Sequence, residues 1–154
     1  MINYRKASAE DIEVLVSLRI LMLKEGTELS AEFEKKLAEN TRQYILEGFN
    51  NQTYQVLVAE LNGEIVAMSG LTYYTLPPND HCPNGKTAYI GSVYTKPNYR
   101  RQGIVSKLLD ITVEEAKKSG CERLQLHTTD MGKTIYESYG FEYSAISMAY
   151  YPFR

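Results

Sequence analysis

An asparagine–glycine pair at positions 62 and 63 sits between two apolar runs, Thr53–Leu61 and Glu64 to about Thr75. Both residues accept the positive φ of a two-residue turn, so this pattern is the strongest short-range signal for a β-hairpin. The first run is apolar on both faces over its middle, Val56-Leu57-Val58-Ala59. Any fold of this chain must therefore bury that hairpin. Asn3–Lys6 reads as a short strand ahead of it. Ser8, with Asp11 three residues on, signals the start of a helix through about Lys24. Ile12, Leu15, Val16, the stem of Arg19, Met22 and Leu23 recur there at helical spacing. A second helix is predicted from Ser30 to about Glu47, with Phe33, Leu37, Tyr44 and Ile45 on one side and Gly48 as its stop.

After the hairpin, Pro77–Gly85 has the composition of a loop, and a fourth strand follows over about Lys86–Thr95. Gly103 to Lys118 reads as a helix that Gly120 ends. Leu124–Thr128 is a further strand, a short helix closes at Gly140, and Phe141–Tyr151 is expected to supply two final strands. This order predicts an α/β fold around a mixed sheet. With 154 residues, no repeat and no linker, residues 1–154 form one domain.

The balance of 44% hydrophobic and 23% charged residues argues against disorder, and a net charge of -2 gives no reason to expect nucleic-acid binding. No stretch approaches the roughly 20 apolar residues of a membrane span. Cys82 and Cys121 are the only cysteines, and no signal-peptide pattern precedes them. That usage predicts a cytoplasmic protein with free thiols.

From His81 through Leu109 there is no Asp or Glu, yet Lys86, Lys96, Arg100, Arg101 and Lys107 are all present. A chain with more acids than bases has cleared this region of negative charge. Within it, a strand leads through Thr95-Lys-Pro-Asn-Tyr-Arg-Arg-Gln-Gly103 into a helix. The first amides of a helix lack internal partners and its dipole favours an anion there, so the turn is a candidate phosphate cradle. A solvated loop with clustered cations is the plain alternative. Gly85-Lys86-Thr87 and Gly132-Lys133-Thr134 imitate the end of a nucleotide P-loop. The glycine that motif needs five residues earlier is absent, since those positions hold Asp80 and His127.

Arg100-Arg101-Gln102-Gly103-Ile104-Val105 resembles the Gln/Arg-x-x-Gly-x-Gly/Ala signature of the GCN5-related N-acetyltransferases (GNAT). Ile135-Tyr136-Glu137-Ser138-Tyr139-Gly140-Phe141 resembles that family's Tyr-Glu-x-x-Gly-Phe block, at a usual distance after the first. Val105 departs from the pattern, standing where Gly or Ala is usual. The resemblance implies a GNAT fold: a mixed sheet of about six to seven strands flanked by about four helices, splayed between strands 4 and 5. It also implies acetyl-CoA as cosubstrate. Arg100, Arg101, Gln102, Gly103, Ile104, Val105 and Ser106 would hold its diphosphate, and the backbone of Val93, Tyr94 and Thr95 would pair with its pantetheine arm. Gly91-Ser92 would suit the bulge that opens the splay.

The implied activity is transfer of an acetyl group to the amine of a small molecule or peptide, by direct attack in a ternary complex. Neither cysteine fits a nucleophile pattern, in keeping with direct transfer. A backbone N–H near Val93 would meet the developing oxyanion, and Tyr136 occupies the family's position for the acid that protonates the leaving thiolate. The alternative is a non-catalytic acyl-CoA sensor or interaction module with the same fold. Asp80, His81, Tyr73 and Tyr89 lie near the expected groove without forming a pattern diagnostic of a general base. His127 reads as a packing residue. His81-Cys82 lacks a second pair to complete a metal site, so no metal is expected. For the acceptor the sequence offers Glu25, Glu28, Tyr73, Tyr74, Tyr150, Tyr151 and Phe153 as a surface suited to a cationic amine. The same residues could instead fill the sheet and a homodimer contact.

Overall fold

A computed structural model describes residues 1–154, with every side chain except that of Met131. In chain order the elements are β1 (Asn3–Lys6), α1 (Ile12–Gly26), α2 (Ala31–Asn51), β2 (Tyr54–Leu61), β3 (Glu64–Thr75), β4 (Lys86–Thr95), α3 (Ile104–Lys118), β5 (Arg123–Leu126) and α4 (Asp130–Tyr139). The strands form one sheet in sequence order, antiparallel from β1 to β4 and parallel between β4 and β5. Asn62 at φ 52° and Gly63 at φ 80° make the hairpin turn and set Leu61 opposite Glu64.

The two apolar faces of β2 explain the layering. Leu57 and Ala59 join Leu108, Leu109 and Val113 of α3 in one buried cluster. Val56 and Val58 point the other way, into a cluster with Leu15 and Leu18 of α1 and Ile45 of α2. The sheet is thus covered on both sides. Each such aliphatic side chain contributes roughly 1.5–3 kcal/mol on burial.

Three expectations need correction. The sheet has five strands rather than six or seven, because residues 141–154 form no strand. Ile146, Met148 and Tyr150 do alternate as a strand would, but they are 90%, 97% and 88% exposed, so no buried face rewards pairing. The second helix does not stop at Gly48 but continues to Asn51, and Gln52 in the left-handed region caps it. Gly48 instead marks close approach, since a Cβ there would overlap the Cβ of Tyr54 on β2. Finally, β5 ends at Leu126 rather than Thr128.

Two irregularities position the site. In the β3–β4 ladder Met68 faces Tyr94 and Gly70 faces Gly91, so Ser92 and Val93 together oppose Ser69. This is a β-bulge, with Ser92 at φ 52°. On the other side of β4, pairing with β5 runs from Thr87↔Arg123 to Ile90↔Leu126 and stops. Gly91–Thr95 therefore has no β5 partner, and the two strands part at the bulge. Among the described residues no helix is long and apolar enough to cross a membrane.

Candidate active site

The basic turn opens α3 as a cup of free amides. Gly103 caps the helix at φ 78°, and apart from its two chain neighbours no residue comes within 4 Å of the place its Cβ would take. Arg101 is also left-handed, at φ 62°. Left-handed residues at a helix start curl successive N–H groups around a concavity that suits anions. Among the described residues the amides of 101–106 find no protein acceptor, and the first bond into the helix is Lys107 N–H to Gly103 O at 3.2 Å. Ile104 is 2% exposed and anchors the turn in the core, while Arg101, Gln102, Gly103 and Ser106 stay exposed. Val105 is half-buried.

The three basic or amide side chains leading into the cup are spent on its architecture. Arg100 donates from Nε to Thr95 O at 2.8 Å and from Nη2 to both carboxylate oxygens of Glu25 at 2.8 and 3.0 Å. Its guanidinium also lies 5.4 Å from the ring centre of Tyr94. Gln102 Nε2 donates to Asn98 O, and Lys96 pairs with Glu64. Arg101 and Lys107 meet no carboxylate among the described residues.

Beside the cup, the parted strands expose backbone. Lys96 N–H donates to Val66 O on β3, so alternation along β4 turns the Tyr94 amide toward β3 and that of Thr95 toward the gap. Val93 and Tyr136 pack against the same apolar cluster under α3, together with Tyr99, Leu126 and Phe141. The structure thereby brings Tyr136 to the side of the sheet that carries the cup. Its ring meets Phe141 edge-on at 5.8 Å and borders a cavity of about 560 Å³ along Leu124–Thr128. Burial pushes its phenol above the ordinary value, so it keeps its proton at neutral pH.

A second cavity, of about 610 Å³, lies on the opposite face between α1, α2 and the sheet. Tyr44, Tyr54, Tyr74 and Tyr89 line it, and Gly91 and Ser92 of the bulge form part of its wall. Three of these phenols are already bonded: Tyr44 to Thr72 Oγ1 at 2.6 Å, Tyr74 to Gln125, and Tyr89 to His127 Nδ1 at 2.7 Å. Tyr54 is buried, with its ring against Tyr44 at 4.9 Å, and burial raises its phenol. Arg19 reaches the bulge and donates from Nη1 to Ser92 Oγ at 3.0 Å.

Of the acceptor residues expected from sequence, Tyr74 alone lines this cavity. Tyr73 points to the other face and bonds Gln55 and Ser119. Glu25 is engaged by Arg100, and Tyr150, Tyr151 and Phe153 are exposed beyond α4. Asp80 and His81 sit in the loop before β4, at the strand end away from the bulge. Sequence reasoning missed Arg19, Tyr44 and Tyr54 as site residues. A usable signal existed for Arg19, a cation in an apolar helical stripe. A cavity of about 650 Å³ also opens at the far strand ends, near Lys6, Thr53 and Lys86. Among the described residues no group of three or more His, Cys, Asp or Glu could hold a metal ion.

Residues 21–141 match the family described as Acetyltransferase (GNAT) family. The chain is 32% identical over 122 residues to the thialysine N-epsilon-acetyltransferase of Bos taurus, covering 71% of this chain and 68% of that one. Its fold superposes on a predicted acetyltransferase from Clostridium acetobutylicum, solved with acetyl-CoA, at a TM-score of 0.86 and 31% identity, over 98% of this chain and 96% of the other. A GCN5-related N-acetyltransferase from Ralstonia eutropha shares the fold at a TM-score of 0.87 and 24% identity, over 98% and 99%.

Proposed function

We propose, from the premise that the chain belongs to the acetyltransferase (GNAT) family, that it acetylates the amine of a small molecule or peptide by direct attack on acetyl-CoA in a ternary complex. The observation that carries this reading is the run of acceptor-free amides at 101–106 beside a gap in the sheet. That cup fits a diphosphate: it offers N–H donors and a helix N-terminus with no acid in its first turn, and the one carboxylate at its edge, Glu25, is paired with Arg100. Acetyl-CoA, when bound, supplies the activated thioester carbonyl.

The chain's own groups then divide the work. The amides of Arg101–Ser106 grip the diphosphate, with Arg101 and Lys107 adding positive charge. Arg100 acts as a positioning residue, holding the turn to Thr95 and α1. The backbone of Val93 and Thr95 lines the gap, and the Val93 N–H meets the negative charge that develops on the carbonyl oxygen. As the new C–N bond forms and the C–S bond breaks, Tyr136 gives its proton to the departing sulfur. The ammonium loses one proton to solvent before attack, and the proton shed by the nitrogen as the amide forms returns through solvent to the Tyr136 phenolate.

The bulge supports this division because β4 serves both faces there. Ser92 borders the tyrosine-lined cavity, where the acceptor would sit, and Val93 packs on the side of Tyr136. The free thiols Cys82 and Cys121 suit a reducing, cytoplasmic setting. The test is thiol release from acetyl-CoA across a broad amine panel, with mass detection of the acetylated product. The name of the bovine relative makes thialysine the first amine to try. Amine-dependent release with matching product is expected. Tight CoA binding with no release from any amine would overturn the catalytic reading in favour of a sensor.

A further inference from the structure

The tyrosine-lined cavity has an uneven charge. None of its lining residues is Asp or Glu, and its one ionic group is Arg19. Three other guanidinium groups are paired with carboxylates, Arg5 with Asp11 and Glu60, Arg42 with Glu13 and Arg100 with Glu25, while among the described residues Arg101 meets none and Arg123 bonds Thr87 Oγ1 at 3.3 Å. Arg19 is half-buried, yet among the described residues its one acceptor is Ser92 Oγ. A guanidinium has five N–H donors in a planar fork shaped for an oxyacid. Charges removed from water are normally paired, so a half-buried fork bonded to one hydroxyl and facing a cavity lined by no acid suits an anion.

We propose that Arg19 is an anion subsite, and that the acceptor carries an acidic oxyacid group, carboxylate or phosphate, in addition to its amine. The inference relies on the acetyltransferase reading for treating this cavity as the acceptor side. The anion site itself stands on the cavity's own charge. Three further features fit. A volume of about 610 Å³ suits an amino acid or a similarly small amine. Arg19 touches the bulge, so an acid held there is fixed close to the gap where the thioester would lie. The phenols of Tyr44, Tyr74 and Tyr89 are bonded within the protein, which leaves them as rigid walls that select shape. A simple diamine or polyamine would bring only positive charge to a cavity whose fixed charge is already positive.

The test compares matched amines in the intact protein: lysine with cadaverine, and phosphoethanolamine with ethanolamine. At least one acid-bearing member should exceed its acid-free counterpart by about tenfold or more in kcat/KM, as expected for charge-assisted hydrogen bonds. The pair that shows the preference identifies carboxylate or phosphate. Arg19→Gln should erase most of the ratio and Arg19→Lys should keep part of it. Ser92→Ala removes the one bond Arg19 makes and should preserve the ratio, which a purely structural role for that bond would not allow. Calorimetric titration of N-acetyllysine against N-acetylcadaverine, and of the corresponding N-acetyl phosphoethanolamine pair, with CoA present, reads the same preference without turnover. If transfer is undetected but an acid preference in binding vanishes in Arg19→Gln, the subsite stands and the catalytic reading falls. Equal use and equal binding of both members, or a preference unchanged in Arg19→Gln, overturns the subsite.

Discussion

Arg100 and Glu25 join the turn before α3 to the last turn of α1 through two hydrogen bonds to one carboxylate, at 2.8 and 3.0 Å. The pair spans 75 residues of sequence and fixes the wall between the amide cup and the helical layer. Because both side chains are partly exposed, the pair contributes little to stability and acts mainly on geometry. Glu25→Gln is expected to raise KM for acetyl-CoA up to about fivefold, with kcat nearly unchanged. The guanidinium holds the Glu25 carboxyl below its ordinary value. The contribution is therefore present above the usual carboxylate range and is lost as pH falls through the lowered value. Steady-state kinetics over that acid range would check both statements; an unchanged KM would remove the positioning role.

Gly103 separates conformation from chemistry. At φ 78° any L side chain is strained by roughly 1–2 kcal/mol, but the space its Cβ would enter is empty. Gly103→Ala should lower the melting temperature slightly and weaken CoA modestly. Gly103→Glu puts a carboxylate in the mouth of the amide cup and should weaken CoA by about a hundredfold or more, with the fold retained. Titration calorimetry with CoA, alongside a melting curve, distinguishes the two. Similar CoA affinities for the two variants would mean that the diphosphate lies elsewhere.

A pH-dependent clasp holds β1 to the start of the helical layer. Arg5 bonds both oxygens of Asp11 at 2.8 and 3.0 Å and Glu60 at 2.7 Å, while the Ser8 amide donates to Asp11 at 2.8 Å. The Arg5 guanidinium holds the Asp11 carboxyl below its ordinary value, chiefly through those side-chain bonds. Its stabilisation is complete above the ordinary carboxylate value and disappears as pH falls through the lowered one. Asp11→Asn should cost about 1–3 kcal/mol at neutral pH and flatten the acid side of the stability curve. Urea unfolding at several pH values would show this, and parallel curves for the two proteins would refute it.

Much of this architecture is written in local signals. Asn62-Gly63 declares the hairpin, the double apolar face of β2 requires helices on both sides, and Arg101–Gly103 marks the basic, glycine-capped start of α3. These cues are local because each rests on the conformation or polarity of adjacent residues. The tyrosine-lined cavity was far harder to read. Tyr44, Tyr54, Tyr74 and Tyr89 come from α2, β2, β3 and β4, and only tertiary packing assembles them. Gly48 misled for a similar reason, since its role is to admit Tyr54 rather than to end a helix. The period-two pattern of Ile146, Met148 and Tyr150 was legible, but a strand also needs a partner, which periodicity does not supply.

Tyr136 offers the sharpest test of the chemistry. Its phenol is half-buried against Phe141, and burial pushes its proton affinity above the ordinary tyrosine value. If Tyr136 protonates the leaving thiolate, activity requires the phenol form. That form persists at low and neutral pH and is lost only as pH rises through the raised value. Wild-type turnover should therefore climb with pH as the amine deprotonates and then fall on the alkaline side, above the normal tyrosine range. Tyr136→Phe keeps the ring packing and removes the proton, so kcat should drop by about 10²- to 10⁴-fold while KM for acetyl-CoA changes little. The alkaline fall should vanish with it. A proportional rise in KM, or an alkaline limb that survives the substitution, would assign Tyr136 to packing under the bound cosubstrate and leave the thiolate to be protonated by water.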